Sequence, residues 1–127
     1  MLRKVAMTAV LLALTVSPAL AEGDAAKGEK VFRKCKACHV VDKEKNRVGP
    51  HLVGIFGRSA ASVEKFKYSK ALKAKAEEGL VWDERNMAEF LAAPKKYLKG
   101  TKMSFVGLKK QDDIDNVIAY IKAESSK

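Results

Sequence analysis

The chain predicts an all-α domain, and three observations carry that reading. The run QDDIDNVIAYIKAE, residues 111–124, sets Ile114, Val117, Ile118 and Ile121 on one helical face, with acids at its start where the helix dipole favours them. Asp24, Ser69 and Asp83 each stand as a capping residue in front of a further run with helical character. No stretch alternates apolar and polar residues for long enough to predict a strand.

The elements follow in order. Asp24 caps a first helix through AAKGEKVFRKCK, residues 25–36, with Gly28 and the Val31/Phe32 pair on one side. Residues 42–67 carry turn signals at Asn46, Gly49, Pro50, Gly54 and Gly57 and read mostly as loop. Ser69 starts a short charged helix, KALKAKAEE, which Gly79 closes in a left-handed cap. Asp83 caps ERNMAEFLAA, where Met87, Phe90 and Leu91 fall at helical spacing before Pro94 ends the helix. KKYL adds a helical turn stopped by Gly100, and KGTKMSFVGLKK is loop again before the last helix.

The start of the chain has a different composition. Arg3 and Lys4 precede a twelve-residue apolar run from Val5 to Val16, and Ser17, Pro18 and the small-x-small triplet Ala19–Leu20–Ala21 follow. This is the layout of a secretory signal peptide cleaved after Ala21, and the run is shorter than the roughly 20 residues a membrane-crossing helix needs. The expected organisation is a leader, residues 1–21, and a single domain, residues 22–127, in the periplasm. The chain of 127 residues carries a formal charge of +10, of which Arg3 and Lys4 supply only two, so the exported part stays strongly basic. Such a charge suits an acidic protein surface, anionic lipid or nucleic acid. Export and the lack of a DNA-binding motif make nucleic acid the poorest fit.

Both cysteines and one of the two histidines lie in CKACH, residues 35–39. A dithiol oxidoreductase would place CxxC in an alternating strand and helix pattern, which is missing here. Zinc would need Cys35, Cys38, His39 and His51 together, and the adjacent Cys38 and His39 point in different directions. In an exported chain CxxCH reads as covalent c-type haem attachment: two thiols add to two vinyl groups, and the next histidine is held beneath the iron. A buried haem also explains the long loops, because a flat apolar cofactor replaces much of the core a small domain needs. If His39 fills one axial position, the second ligand separates an electron carrier from a small-molecule site. Met87 lies on an apolar helix face and reads as core. Met103 sits in a polar loop with no packing duty and is the axial candidate.

The order of KGEKVFRKCKACH, RVGPHLVGIFGR, FKYSKA, GLVW, APKKYLKGTKMSFVGLKK and DDIDNVIAYIKA resembles class I cytochrome c, in its bacterial periplasmic type similar to the mitochondrial protein. The resemblance implies one haem c attached through Cys35 and Cys38, with His39 and Met103 as iron ligands. It implies that the Pro50 carbonyl accepts a hydrogen bond from His39, and that Arg58, Tyr68, Ser69, Trp82 and Thr101 serve the haem propionates. Gly28 and Phe32 would meet Tyr120 where the first and last helices cross. Phe90 stands where the family commonly has a tyrosine, and Lys99 where proline is usual. His51 reads as a solvated loop residue.

An iron with both axial positions filled leaves no site for substrate, so a one-electron carrier is expected rather than an enzyme. The alternative is a haem-based sensor or peroxidase for nitric oxide, carbon monoxide or peroxide, in which the Met103 bond is labile. Lys34, Lys36, Lys95, Lys96, Lys99, Lys102, Lys109 and Lys110 flank the two ligand segments and would ring the haem edge, steering acidic-surfaced redox partners. The resemblance implies a cytochrome bc-type complex as donor and an oxidase, reductase or photosynthetic reaction centre as acceptor, met by a monomer with no stable membrane insertion.

Overall fold

The computed structural model describes residues 22–127 together with Ala13, so the expected leader and its cleavage site lie outside the described residues except at these points. Five helices follow one another: α1 (Ala25–Phe32), α2 (Lys70–Glu77), α3 (Glu84–Ala92), α4 (Pro94–Tyr97) and α5 (Gln111–Ser125). The three capping residues read from the sequence act as such. Asp24 accepts from the Lys27 amide, Ser69 from the Leu72 amide, and Asp83 exchanges reciprocal bonds with Asn86. Gly79, at φ +95°, closes α2 with the paired bonds of a Schellman cap: its N–H to the Ala76 carbonyl and that of Leu80 to the Lys75 carbonyl.

Three boundaries differ from expectation. The first helix stops at Phe32, and residues 33–38 continue as hydrogen-bonded turns, with the amides of Cys35 and Lys36 both reaching the Phe32 carbonyl. Pro94 starts α4 at its first position, where the missing N–H would be unpaired in any case. Residues 57–60 pair with 80–82: Gly57 donates to the Trp82 carbonyl (2.7 Å), Trp82 to Arg58 (3.0 Å) and Ala60 to Leu80 (2.9 Å), around an antiparallel bridge between Ser59 and Val81. A bridge of this size carries no alternating pattern for the sequence to show.

The helices α1 and α5 make the largest helix contact, and α3 packs on both α4 and α5. Where α1 crosses α5, Gly28 leaves no room for a Cβ against the Asn116 carbonyl, and the rings of Phe32 and Tyr120 lie 5.2 Å apart. The apolar stripe Ile114, Val117, Ile118 and Ile121 joins Phe32, Val41, Ile55, Trp82, Met87, Leu91 and Leu108 in one core. Burying such side chains stabilises a fold by about 1.5–3 kcal/mol each. Among the described residues no helix is long and apolar enough to cross a membrane.

Candidate functional site: the CKACH turn and the loops that face it

CKACH is wound into a tight turn by bonds from the Cys38 and His39 amides to the Cys35 carbonyl (3.1 and 2.9 Å). Two bonds between residues further apart in sequence lock it to the following loop, Gly49 N–H to Cys38 (2.9 Å) and Leu52 N–H to Val40 (2.9 Å). The loop brings the Pro50 carbonyl within 2.8 Å of His39 Nδ1. Since that carbonyl can only accept, Nδ1 carries the proton and Nε2 keeps its lone pair. Burial holds the His39 imidazole below its ordinary value, the Pro50 bond opposes this, and the Arg58 charge reinforces it. The ring is therefore neutral at neutral pH, the form that binds a metal. Gly49 lies against the same ring, and a Cβ there would collide with Cε1 and come within 2.8 Å of Nδ1 and 2.9 Å of Nε2.

The thiols of Cys35 and Cys38 are free and half-buried. Burial pushes Cys35 up to about 11, the neighbouring Cys38 adds to the rise, and Lys34 opposes it.

The paired segments 57–60 and 80–82 set Arg58 and Trp82 side by side. Arg58 Nη1 donates to the carbonyls of His51 (3.1 Å) and Val53 (3.0 Å), while its Nε is buried without a partner. Trp82 is buried against Phe90, with ring centroids 5.3 Å apart. Tyr68 and Ser69 are buried, and their hydroxyls accept bonds from the amides of Val63 and Leu72. The Thr101 hydroxyl accepts from the Met103 amide at 3.2 Å. Each of these three hydroxyls therefore keeps its own proton free to donate. Met103 is half-buried in the loop after α4.

A haem c fits these residues. Two half-buried thiols sit at CxxCH spacing beside a neutral imidazole with a free Nε2, and a buried guanidinium N–H lacks an acceptor that an anionic oxygen would supply.

The profile of the Cytochrome c family matches residues 25–125. The chain belongs to the cytochrome c family. It is similar to cytochrome c2 of Afifella marina, 52% identical over 98 residues that cover 76% of this chain and 79% of that one. Cytochrome c2 of Agrobacterium tumefaciens (strain II Chrys) is 48% identical over 101 residues, covering 79% and 91%, and cytochrome c-554 of Methylosinus trichosporium is 50% identical over 113 residues, covering 88% and 83%. Among solved structures, cytochrome cH from Methylobacterium extorquens matches with a TM-score of 0.72 at 46% identity, covering 80% of this chain and 99% of that one. This cytochrome c thus has the class I fold, carries one covalent haem c on the CxxCH motif Cys35, Cys38 and His39, and is an electron carrier that works with redox partners.

Two features of this cytochrome were not read from the sequence. Gly49 precedes Pro50, and the Gly-Pro pair showed only a turn; its contact with the His39 ring is set by the bond from Gly49 to Cys38. His51 is not simply a solvated loop residue. Its Nδ1 accepts from the Val53 amide (3.2 Å) and its carbonyl helps hold Arg58, while burial and the Arg58 charge keep the ring below its usual value.

Proposed function

We propose that this cytochrome binds its iron between His39 Nε2 and the Met103 thioether and serves as a periplasmic one-electron carrier without catalytic activity of its own. The observation that carries this is the 2.8 Å bond between His39 Nδ1 and the Pro50 carbonyl, which fixes the tautomer and leaves the lone pair of a neutral Nε2 free for a metal. Haem c supplies a one-electron iron couple when bound. Everything else is done by the chain. The neutral imidazole and a soft thioether from the facing loop would hold the same positions in both oxidation states. Arg58 Nε and the hydroxyl protons of Tyr68, Ser69 and Thr101, together with the Trp82 indole N–H, would supply the donors that the haem propionates need wherever they are buried.

Lys34, Lys36, Lys95, Lys96, Lys99, Lys102, Lys109 and Lys110 are all exposed, and among the described residues none of them forms an ion pair. Their charge is thus uncompensated locally and available to steer an acidic partner. A bc-type complex as donor, and an oxidase, reductase or photosynthetic reaction centre as acceptor, would suit such a monomeric carrier. Residues 1–21 are the leader for export, and residues 22–127 form the carrier domain.

Substituting Met103 tests the reading. Met103→Ala should leave the haem covalently attached, abolish the methionine-to-iron charge-transfer absorption of the ferric protein, lower the potential and admit cyanide rapidly. An unchanged spectrum and potential would remove Met103 from the iron.

A further inference from the structure

On the α3/α5 side of the molecule lies a cavity of about 370 Å³ whose lining includes Glu22, Gly23, Glu84, Asp115, Ile118 and Lys122. Its charges do not balance. Glu84 pairs with Lys122, while Asp115 accepts from the Gln111 side chain at 2.9 Å and has no cationic partner among the described residues. Lys122 is held above its ordinary value by its bond to Glu84 and by the charges of Glu84 and Glu22, which places the Glu22 carboxylate in the same field. Three carboxylates therefore face one ammonium. No group of three or more His, Cys, Asp or Glu among the described residues could hold a metal ion, so the surplus negative charge is left to solvent and to any cation the chain itself brings there.

The chain itself leads to the place. Asp24 caps α1 with its side chain and donates its N–H to Asn116 Oδ1 on α5 at 2.8 Å. Gly23 lies so close to the Asp115–Asn116 peptide that a Cβ has no room. Residues 22–24 are thereby tied along α5, and Glu22 lines the cavity beside Asp115.

We propose that this recess binds the α-ammonium that leader removal creates at Glu22, so that the docking of residues 22–24 on α5 gains a charge–charge contact only in the processed protein. The inference rests on the proposed cleavage after Ala21. Hydrolysis of the Ala21–Glu22 amide adds one water and yields the Ala21 carboxylate and the Glu22 amine, which is protonated. Before cleavage the same nitrogen is an uncharged amide. After it, a cation is delivered on a tether, with no translational entropy to lose. The groups facing it are Glu84 from α3, Asp115 and Lys122 from α5, and the carboxylate of Glu22 itself. Their balance is negative, so the folded protein raises the proton affinity of the amine. The resulting stabilisation is full below the ordinary α-amino range of about 7.7–8.0 and is lost as pH rises through the higher folded value.

The test is an NMR titration of the α-amine, labelled by reductive methylation with its charge kept, in mature holoprotein whose N-terminus has been fixed by intact mass. The expected midpoint is about one pH unit above the ordinary range, a tenfold tighter proton. Asp115→Asn, which keeps the acceptor for Gln111, should lower it, and Lys122→Gln, which frees Glu84, should raise it. A variant processed one residue earlier, with Ala21 retained, should titrate in the ordinary range. Glu22 as the first residue with an ordinary midpoint, or a midpoint that Asp115→Asn leaves alone, overturns this inference only. A first residue other than Glu22 overturns the cleavage reading and this inference together.

Discussion

Replacing Gly49 by alanine probes the contact that aims the histidine. Gly49 lies outside the left-handed region, so alanine meets no backbone penalty, and the added methyl alone decides the outcome. Built on the present backbone it collides with His39 Cε1 and stands 2.8 Å from Nδ1 and 2.9 Å from Nε2, so the ring must give by at least about 0.6 Å to reach ordinary van der Waals contact. The backbone has little freedom to retreat, because the Gly49 N–H is bound to Cys38 (2.9 Å) and its carbonyl accepts from Arg47 (3.0 Å). The ring must move instead. A shift of roughly 0.6 Å can lengthen the 2.8 Å bond to Pro50 past the useful range, which ends near 3.2 Å. Overpacking of this kind costs about 1–3 kcal/mol and the lost bond about 0.5–1.5 kcal/mol. Against this, the stiffer unfolded chain returns about 0.4–1 kcal/mol. The net expectation is a loss of about 0.5–4 kcal/mol in guanidinium unfolding of the holoprotein followed by far-ultraviolet circular dichroism, with a perturbed ferric haem spectrum at zero denaturant. A variant as stable as the parent with an unaltered spectrum would show that the ring is not held against Gly49.

Three further outcomes follow from the same geometry. Lys99 occupies the second position of a turn closed by the Thr101 amide on the Leu98 carbonyl (3.0 Å), with Gly100 at φ +93° after it and Leu98 already outside the helical region before it, at φ −128° and ψ 84°. Lys99→Pro should therefore stabilise the holoprotein by about 0.4–1 kcal/mol, read as a raised midpoint in chemical denaturation. Arg58→Gln removes charge-assisted bonds to the His51 and Val53 carbonyls and should destabilise by about 1.5–3 kcal/mol; wild-type stability would mean that these bonds are not made in solution. The double replacement Lys36→Glu with Lys102→Glu should slow bimolecular oxidation by an anionic reagent at least about tenfold at low salt, the two rates converging as ionic strength rises. Equal salt slopes for parent and variant would exclude these lysines from the steering surface.

What the sequence made legible was local. Asp24, Ser69, Asp83 and Gly79 act within four residues of themselves, and the periodic stripe on α5 needs no partner to be recognised. CKACH was readable because attachment chemistry fixes its spacing. The contacts that surround it were not, since they join segments distant in sequence by main-chain bonds that any residue type could make, 57–60 with 80–82 and Gly49 with Cys38, or by a long-range bond from a main-chain amide to a side chain, Asp24 N–H to Asn116 Oδ1. The 33–38 turns illustrate the boundary between the two cases. Their composition favours helix, yet the chain leaves α1 at Phe32 to wind the tight turn in which the Cys38 and His39 amides share the Cys35 carbonyl. His51 was underread for the same reason, because its task is performed largely by its carbonyl.

The two arms that carry the proposed ligands are anchored unequally, and this predicts which of them opens first. The His39 arm is stitched by amide bonds at Cys38, His39, Gly49 and Leu52 and by the ring bond to Pro50. The Met103 arm is held at its ends, by the turn at Thr101 and by Leu108 on Leu91 (2.8 Å), and between them by the Met103 amide on the Thr101 hydroxyl. The amides of Lys102, Ser104, Phe105, Val106 and Gly107 have no main-chain partner among the described residues. The remaining restraints on the arm are the packing of the half-buried Phe105 against the core and a long bond from Lys102 Nζ to the Tyr68 carbonyl (3.4 Å). Few main-chain bonds and partial exposure place a segment at the weak end of the range of local unfolding energies. In native-state hydrogen exchange of the holoprotein, the amides of 102–107 should therefore exchange ahead of Gly49 and Leu52. Mild denaturant should likewise remove the thioether-to-iron absorption before the helical signal falls. Equal protection of the two arms would mean that the haem, rather than main-chain bonding, sets their stability, and would cancel the asymmetry argued from the bonds.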